Sequence, residues 1–130
     1  MLKEFEEILQ EAHKKKLPVI AWVYPRGKIV NKKKARDVMA YAARVGLEID
    51  ADLIKIKSDD VKDDITWAVK SAGRAKVVIA GGEKTSELQF IKHVKNIISA
   101  GAFGAAVGRN VWKSKDPIAL SKTIRRIVFG

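Results

Sequence analysis

The chain has 130 residues, enough for one modest domain, and carries 26 Lys and Arg against 15 Asp and Glu, a formal charge of +11. It has no cysteine, which excludes a disulfide framework, a thiolate zinc site and a thiol nucleophile. No apolar run reaches the roughly 18 residues that span a bilayer, and the opening MLKEFEEILQEAHKKK has no apolar signal core, so a cytoplasmic enzyme or binding domain is the expectation.

Helical and strand-like segments alternate along the chain. Leu2, Phe5, Ile8, Leu9 and Ala12 fall on one face of a first helix, which Leu17 and Pro18 close. PVIAWVY (18–24) reads as strand one. Asn31 is placed to cap a second helix with Ala35, Val38, Ala42 and Val45 on one side. ADLIKIKS (51–58) reads as strand two. The third helix packs through Ile65, Ala68, Val69 and Ala72 and stops at Gly73, a C-cap. AKVVIAGG (75–82) is strand three. Thr85 or Ser86 opens a fourth helix, apolar at Leu88, Ile91, Val94 and Ile98, which stops at Gly101. GAAVGRNVW (104–112) reads as strand four. Asp116 followed by Pro117 is a helix start, and the last helix buries Leu120, Ile124, Ile127 and Val128. His13 and His93 fall in helical segments away from any partner motif and read as ordinary helix residues.

One helix followed by four β-α units predicts an α/β fold with a parallel sheet, since parallel strands need crossovers and helices supply them. Two architectures fit: an open doubly wound sheet, or part of a (β/α)8 barrel. A full barrel needs about 250 residues, and this chain has about half that. The basic residues are scattered. Only HKKK (13–16) and NKKK (31–34) cluster, and aromatics do not alternate with cations as a nucleic-acid stacking platform requires. A solvated lysine-rich surface that steers anionic substrates is the preferred reading, with nucleic acid set aside.

Chemistry in parallel α/β sheets gathers at the C-terminal strand ends. Strand one ends in Tyr24-Pro25-Arg26-Gly27. Ile20, Trp22 and Tyr24 share one of its faces, since side chains alternate. On strand two Leu53, Lys55 and Lys57 share a face, opposite Ile54 and Ile56. A lysine inside an apolar strand is costly while charged, and a second cation nearby adds to that cost. The neutral amine is a nucleophile toward carbonyl carbon. The same spacing equally suits two lysines that reach past the sheet end into water. Gly81-Gly82 after strand three and Gly108-Arg109-Asn110 after strand four suit an anion site, because glycines let backbone N–H groups approach phosphate oxygens and arginine adds a charged fork. They also suit plain tight turns.

AWVYPRG, ADLIKIK, VVIAGGEKT and GAAVGRNVW, in that order and each at a strand end, resemble the second half of the archaeal-type class I fructose-bisphosphate aldolases. That family sits with the deoxyribose-phosphate aldolase-like enzymes and the aminodideoxyheptulosonate synthases. The resemblance covers about residues 2–130. It implies a parallel (β/α)4 half of a TIM (β/α)8 barrel, strands five to eight preceded by one helix, with residues 1–130 as a single partial-barrel domain. It implies Lys55 as the Schiff-base lysine and Tyr24 as the proton-transfer group. It further implies Trp22 as an aromatic wall, Arg26 as a polar group at the strand-one mouth, and Gly81, Gly82, Gly108 and Arg109 as the phosphate loops. The substrate implied is a phosphorylated ketose such as fructose 1,6-bisphosphate. Neither a metal nor another cofactor is implied, because the protonated imine does the work of a Lewis acid.

The chain departs from this pattern at Ser58-Asp59-Asp60, where such enzymes carry an aromatic and then Thr-Gly-Asp. It departs again at Ala80, where a serine usually precedes Gly-Gly. Two further expectations accompany the half-barrel reading: partnership with a second copy or a separate N-terminal half, and, as alternatives to catalysis of aldol cleavage, a non-catalytic sugar-phosphate-binding half-barrel or a sister heptulosonate-type synthase.

Overall fold

A computed structural model describes residues 2–130, with the Leu2 side chain outside the described residues. The order is α1 (Leu2–Lys14), β1 (Ile20–Trp22), a 3-10 turn (Val30–Lys32), α2 (Ala35–Glu48), β2 (Leu53–Ile56), α3 (Lys62–Ser71), β3 (Lys76–Ala80), α4 (Glu87–Ser99), β4 (Gly104–Ala106), α5 (Arg109–Trp112) and α6 (Pro117–Phe129). The four strands form one sheet in the order β1-β2-β3-β4, every pair parallel. No helix among the described residues is long and apolar enough to cross a membrane.

The register aligns Trp22 with Lys55, Lys55 with Val78 and Val78 with Gly104. Alternation then sorts the side chains. Ala21, Ile54, Ile56, Val77 and Ile79 point to the helix side and are buried in one core with Met39, Ala43, Ile65 and Ala68. Ile20, Trp22, Leu53, Lys55, Lys76 and Val78 point the other way, onto a more open face, where Leu53 and Val78 line a cavity with Trp112, Ile124 and Val128 of α5 and α6. Ile20 is 51% exposed there and Trp22 68%. A smaller apolar cluster of Phe90, Val94, Leu120 and Ile124 joins α4 to α6.

The helix faces agree with the sequence pattern in α3, where Ile65, Ala68 and Ala72 are fully buried, and at Leu120 and Ile124 in α6. Elsewhere the buried stripe is rotated. In α2 it is Met39, Ala42, Ala43 and Gly46, because the helix meets both the sheet and α3. Ile8 and Leu88 face solvent, while Leu9 and Phe90 are buried.

Several expected boundaries are corrected. Strand one is shorter than 18–24: at its start Val19 N donates to the Asp52 side chain rather than to the ladder, and at its end Pro25 has no N–H to continue it. Its last bond to β2 runs from Val23 N to Lys55 O (3.0 Å). Asn31 does not cap α2; it lies in the 3-10 turn, and α2 starts after Lys34 without a side-chain cap. The third helix is capped by Ala72, with Gly73 just beyond it at φ +57°. The segment 104–112 is not all strand. It leaves the sheet at Ala106, and the Gly108 carbonyl accepts from Val111 N (2.8 Å) and Trp112 N (3.2 Å), which coils Arg109–Trp112 into one helical turn. Ser86 and Asp116 do cap their helices, Ser86 through a full capping box with Gln89.

Both histidines have acidic partners, contrary to the expectation. His13 Nε2 lies 2.8 Å from Asp52 Oδ2, which also accepts from Val19 N (2.7 Å), so α1 is tied to the start of β2. His93 Nδ1 lies 2.9 Å from Asp60 Oδ1, in the loop after β2. Asn96 in α4 donates to the same residue, at 2.7 Å to its carbonyl and 2.9 Å to Oδ1.

Candidate active site

Two lysine–aromatic pairs join β1 and β2, the first on the open sheet face and the second just past the strand ends. Lys55, half-buried in the centre of β2, puts Nζ 3.7 Å from the centroid of the Trp22 ring on β1. Two residues further along each strand, Lys57 Nζ lies 6.0 Å from the Tyr24 ring centroid. A cation over an indole face is attracted by the ring quadrupole, worth about 0.5–1 kcal/mol at exposed sites. Among the described residues no carboxylate lies within ion-pair distance of either lysine. Lys55 is therefore held on one side by an aromatic wall, with its amine presented to the open face and unneutralised by an acid. Lys57 is the solvated member of the two, being exposed.

Tyr24 is half-buried and, with Arg26, Pro25, Lys33, Lys57 and Asp59, lines a crevice of about 300 Å3 between the end of β1 and α2. Arg26 is exposed at its rim. Trp22 and Lys55 thus pair with each other, while Tyr24 faces Lys57 and lines the crevice toward α2 with Arg26.

The glycine loops form a second group. Gly81 N donates to Ala106 O (2.9 Å), which carries the ladder one residue past β3. Gly82 adopts φ +67°, a left-handed conformation, and a Cβ there would meet open space. A Cβ on Gly108 would come within 2.8 Å of the Trp112 ring, so the indole lies directly against that backbone. Arg109 is exposed.

Sequence reasoning grouped Asn110 with Gly108 and Arg109 as an anion site but missed that its side chain is buried, at 4% exposure, the one buried polar residue among the described residues. Its amide bonds three backbone groups of the Gly81–Thr85 loop. An apolar neighbourhood in the sequence (NVW) gave no sign of this role. The Asp60 contacts of His93 and Asn96 were equally hidden, since those partners lie 33 and 36 positions apart.

A four-stranded parallel sheet flanked by helices, with lysine, tyrosine, arginine and glycine loops toward its C-terminal edge, has the layout of half a TIM-type barrel. The chain matches the DeoC/LacD family aldolase pattern over residues 1–114 and belongs to that family. It is 42% identical over 131 residues to the fructose-bisphosphate aldolase class 1 of Thermoproteus tenax, covering 100% of this chain and 50% of that protein. It is 43% identical over 129 residues to the enzyme of the same name from Halobacterium salinarum, covering 49% of it. A solved archaeal fructose 1,6-bisphosphate aldolase superposes with a TM-score of 0.91 at 42% identity, over 100% of this chain and 52% of that one. A second archaeal structure, with its catalytic Lys covalently bound to the carbinolamine intermediate of the substrate, superposes with a TM-score of 0.91 at 40% identity. The chain therefore spans about half the length of the relatives it matches.

Proposed function

We propose that this chain carries the Schiff-base half of a class I aldolase that cleaves or forms a C–C bond in a phosphorylated ketose such as fructose 1,6-bisphosphate. Residues 1–130 make one half-barrel unit in this reading. The observation that carries it is Lys55: an amine on the open face of the sheet, stacked on Trp22, with Tyr24 one row closer to the mouth.

The neutral Lys55 amine adds to the ketose C2 carbonyl, giving a carbinolamine, and loss of water gives an iminium. The C3–C4 bond then breaks, its electron pair flowing into the iminium to leave an enamine, while the C4 hydroxyl loses its proton and the aldehyde leaves. Tyr24 moves the proton that the enamine takes up at C3, and water releases the ketone and the free amine. Trp22 packs the sugar. Gly81, Gly82, Gly108 and Arg109 hold a phosphoryl group, and Arg26 meets the polar substrate at the strand-one mouth. A charged sugar phosphate is retained inside a membrane, which favours a cytoplasmic location.

The open face favours a second element in the reading. Ile20, Trp22 and Lys55 would look into the interior of a closed barrel, and β1 and β4 each have one edge unpaired within the described residues. A second set of strands is needed to enclose the substrate. A second copy of this half would bring three more lysines to the same interior, beside Lys55, Lys57 and Lys76. A half with an acidic inner face is the better fit.

The test is borohydride trapping with intact-mass measurement, using dihydroxyacetone phosphate or fructose 1,6-bisphosphate. A stable adduct that disappears in Lys55→Ala supports the assignment; an adduct that survives the substitution refutes it. No adduct on the 130-residue chain would mean the site forms only once the second set of strands is present. A related 2-amino-3,7-dideoxy-D-threo-hept-6-ulosonate synthase 1 from Archaeoglobus fulgidus, 36% identical over 114 residues, makes synthase substrates the next ones to screen.

A further inference from the structure

The loop between β3 and α4 is held from behind by a single buried amide. Asn110 Nδ2 donates to Gly81 O at 2.9 Å and to Glu83 O at 2.8 Å, and Asn110 Oδ1 accepts from Thr85 N at 2.9 Å. Only this orientation of the amide satisfies all three partners. The flipped one would set the oxygen against two carbonyls and the NH2 against an N–H. The loop is thus pinned at residues 81, 83 and 85. Between the pins, the N–H groups of Gly82, Glu83 and Lys84 have no acceptor among the described residues, and Gly82 turns through φ +67° with open space beside it. Two carbonyls are drawn inward to Asn110, and the free N–H groups are left for an outside acceptor.

We propose that Asn110 is a positioning residue for phosphoryl binding, which rests on the phosphate reading given under Proposed function. It touches no ligand, being buried, and acts by fixing the backbone of the 81–85 loop so that its N–H groups are arranged before the anion arrives. Its place in the chain adds a second consequence. Arg109 precedes it in the same helical turn and is exposed, so the brace of one phosphate loop and the cation of the other are consecutive residues. The loop after β3 and the loop after β4 are coupled through that turn and through the Gly81 N to Ala106 O bond. Shifting α5 shifts both.

The experiment is a titration of the 130-residue chain with inorganic phosphate, followed by backbone amide NMR, together with amide hydrogen exchange at Thr85. Wild type is expected to show saturable shifts at Gly82, Glu83 and Arg109. Asn110→Ala is expected to weaken phosphate by about tenfold and to speed exchange at Thr85 by a similar factor. Asn110→Asp keeps the acceptor for Thr85 N but turns a carboxylate toward two carbonyls. It is expected to keep Thr85 protection and still lose about tenfold in affinity, a split that general loosening of the fold would not produce. Exchange at Ile54, in the central strand, serves as the control for the fold. Should both variants unfold, wild type alone decides: saturating phosphate should slow exchange at Thr85, and unchanged exchange overturns the coupling. Phosphate binding by wild type with equal affinity in either folded variant overturns the role of Asn110 and leaves the phosphate site standing. No phosphate shifts in wild type, with Thr85 still protected, overturns the phosphate reading and this inference with it.

Discussion

Gly46 lies where α2 crosses closest to β2, and substituting it with alanine sets two physical effects against each other. On propensity alone Gly46→Ala should stabilise the helix by about 1 kcal/mol, since glycine is the poorer helix former. The structure opposes this. A Cβ on residue 46 would lie 2.6 Å from both Ile54 Cγ1 and Cγ2 and 2.7 Å from Cδ1. Ile54 is fully buried between Ala21 and Val77 on the packed side of the sheet. Overpacking of this kind costs about 1–3 kcal/mol, and three close contacts to one immobile side chain argue for the upper end. The net expectation is destabilisation by about 2 kcal/mol, or roughly 8 °C in Tm for a chain of this size. Urea unfolding followed by circular dichroism measures it. Ile54→Ala alone should cost about 2–5 kcal/mol, but in the Gly46→Ala background it should cost about 1–3 kcal/mol less, because it removes the clash as well as the packing. A Gly46→Ala chain as stable as wild type, or more so, would refute the close approach. It would also remove the reason for believing that α2 fixes the strand from which Lys55 projects.

Two further outcomes are expected. The hydrogen bond from His13, and then that from Val19 N, hold the Asp52 carboxyl below its ordinary value of 3.8, so the pair contributes stability above that pH and loses it as pH falls through the lowered value. The stability gap between wild type and Asp52→Asn, at most about 1 kcal/mol after screening at this partly exposed site, should therefore be fully present above pH 3.8 and close as the pH falls below it. A gap that widens on acidification would reverse the sign of the argument. On the open face, Trp22→Ala should cost the monomeric chain less than about 1 kcal/mol in urea unfolding, because the indole is mostly in water; a loss of about 3 kcal/mol or more, as for a core tryptophan, would mean the face is covered in solution.

What the sequence disclosed and what it hid divide along the range of the interactions. The alternation in LIKIK was enough to put Ile54 and Ile56 under the helices and Lys55 and Lys57 on the other face, because a strand's period is two and its register allows no half-measures. Ser86 and Asp116 were legible because a cap is made within three residues of itself. The α2 start was misread for a related reason: Asn31 has the chemistry of a cap, but it lies inside the Val30–Lys32 turn and the N-cap position falls on Lys34. The short α5 was hidden because GAAVGRNVW has β-branched and aromatic residues at strand-like spacing. The bonds that coil it depend on the Gly108 carbonyl turning back toward Val111 and Trp112. The partners of His13, His93 and Asn110 could not be found locally at all. They join residues 25–39 positions apart, and only the order of the strands brings them together.

The placement of Lys55 also bears on how much of a barrel the proposed imine chemistry requires. Its neighbours in sequence, Ile54 and Ile56, are both fully buried, and they pack against the helix side of the sheet with Ile65, Ile79 and Ala43. A one-residue slip of β2 would expose both isoleucines and bury two lysines, an exchange costing several kcal/mol at ordinary transfer values. The direction of the Lys55 side chain is therefore set by the helix-side core, and its Trp22 wall by the β1-β2 register. Neither uses anything beyond these four strands and the helices packed on them. Enclosure is another matter, since water reaches the open face and dilutes every charge there. The half-barrel should thus form the imine more readily than it turns over substrate. Borohydride trapping would detect that difference where a steady-state assay would not: capture of the adduct needs only an amine held in the right place, whereas release of product needs the proton transfers that a closed site organises.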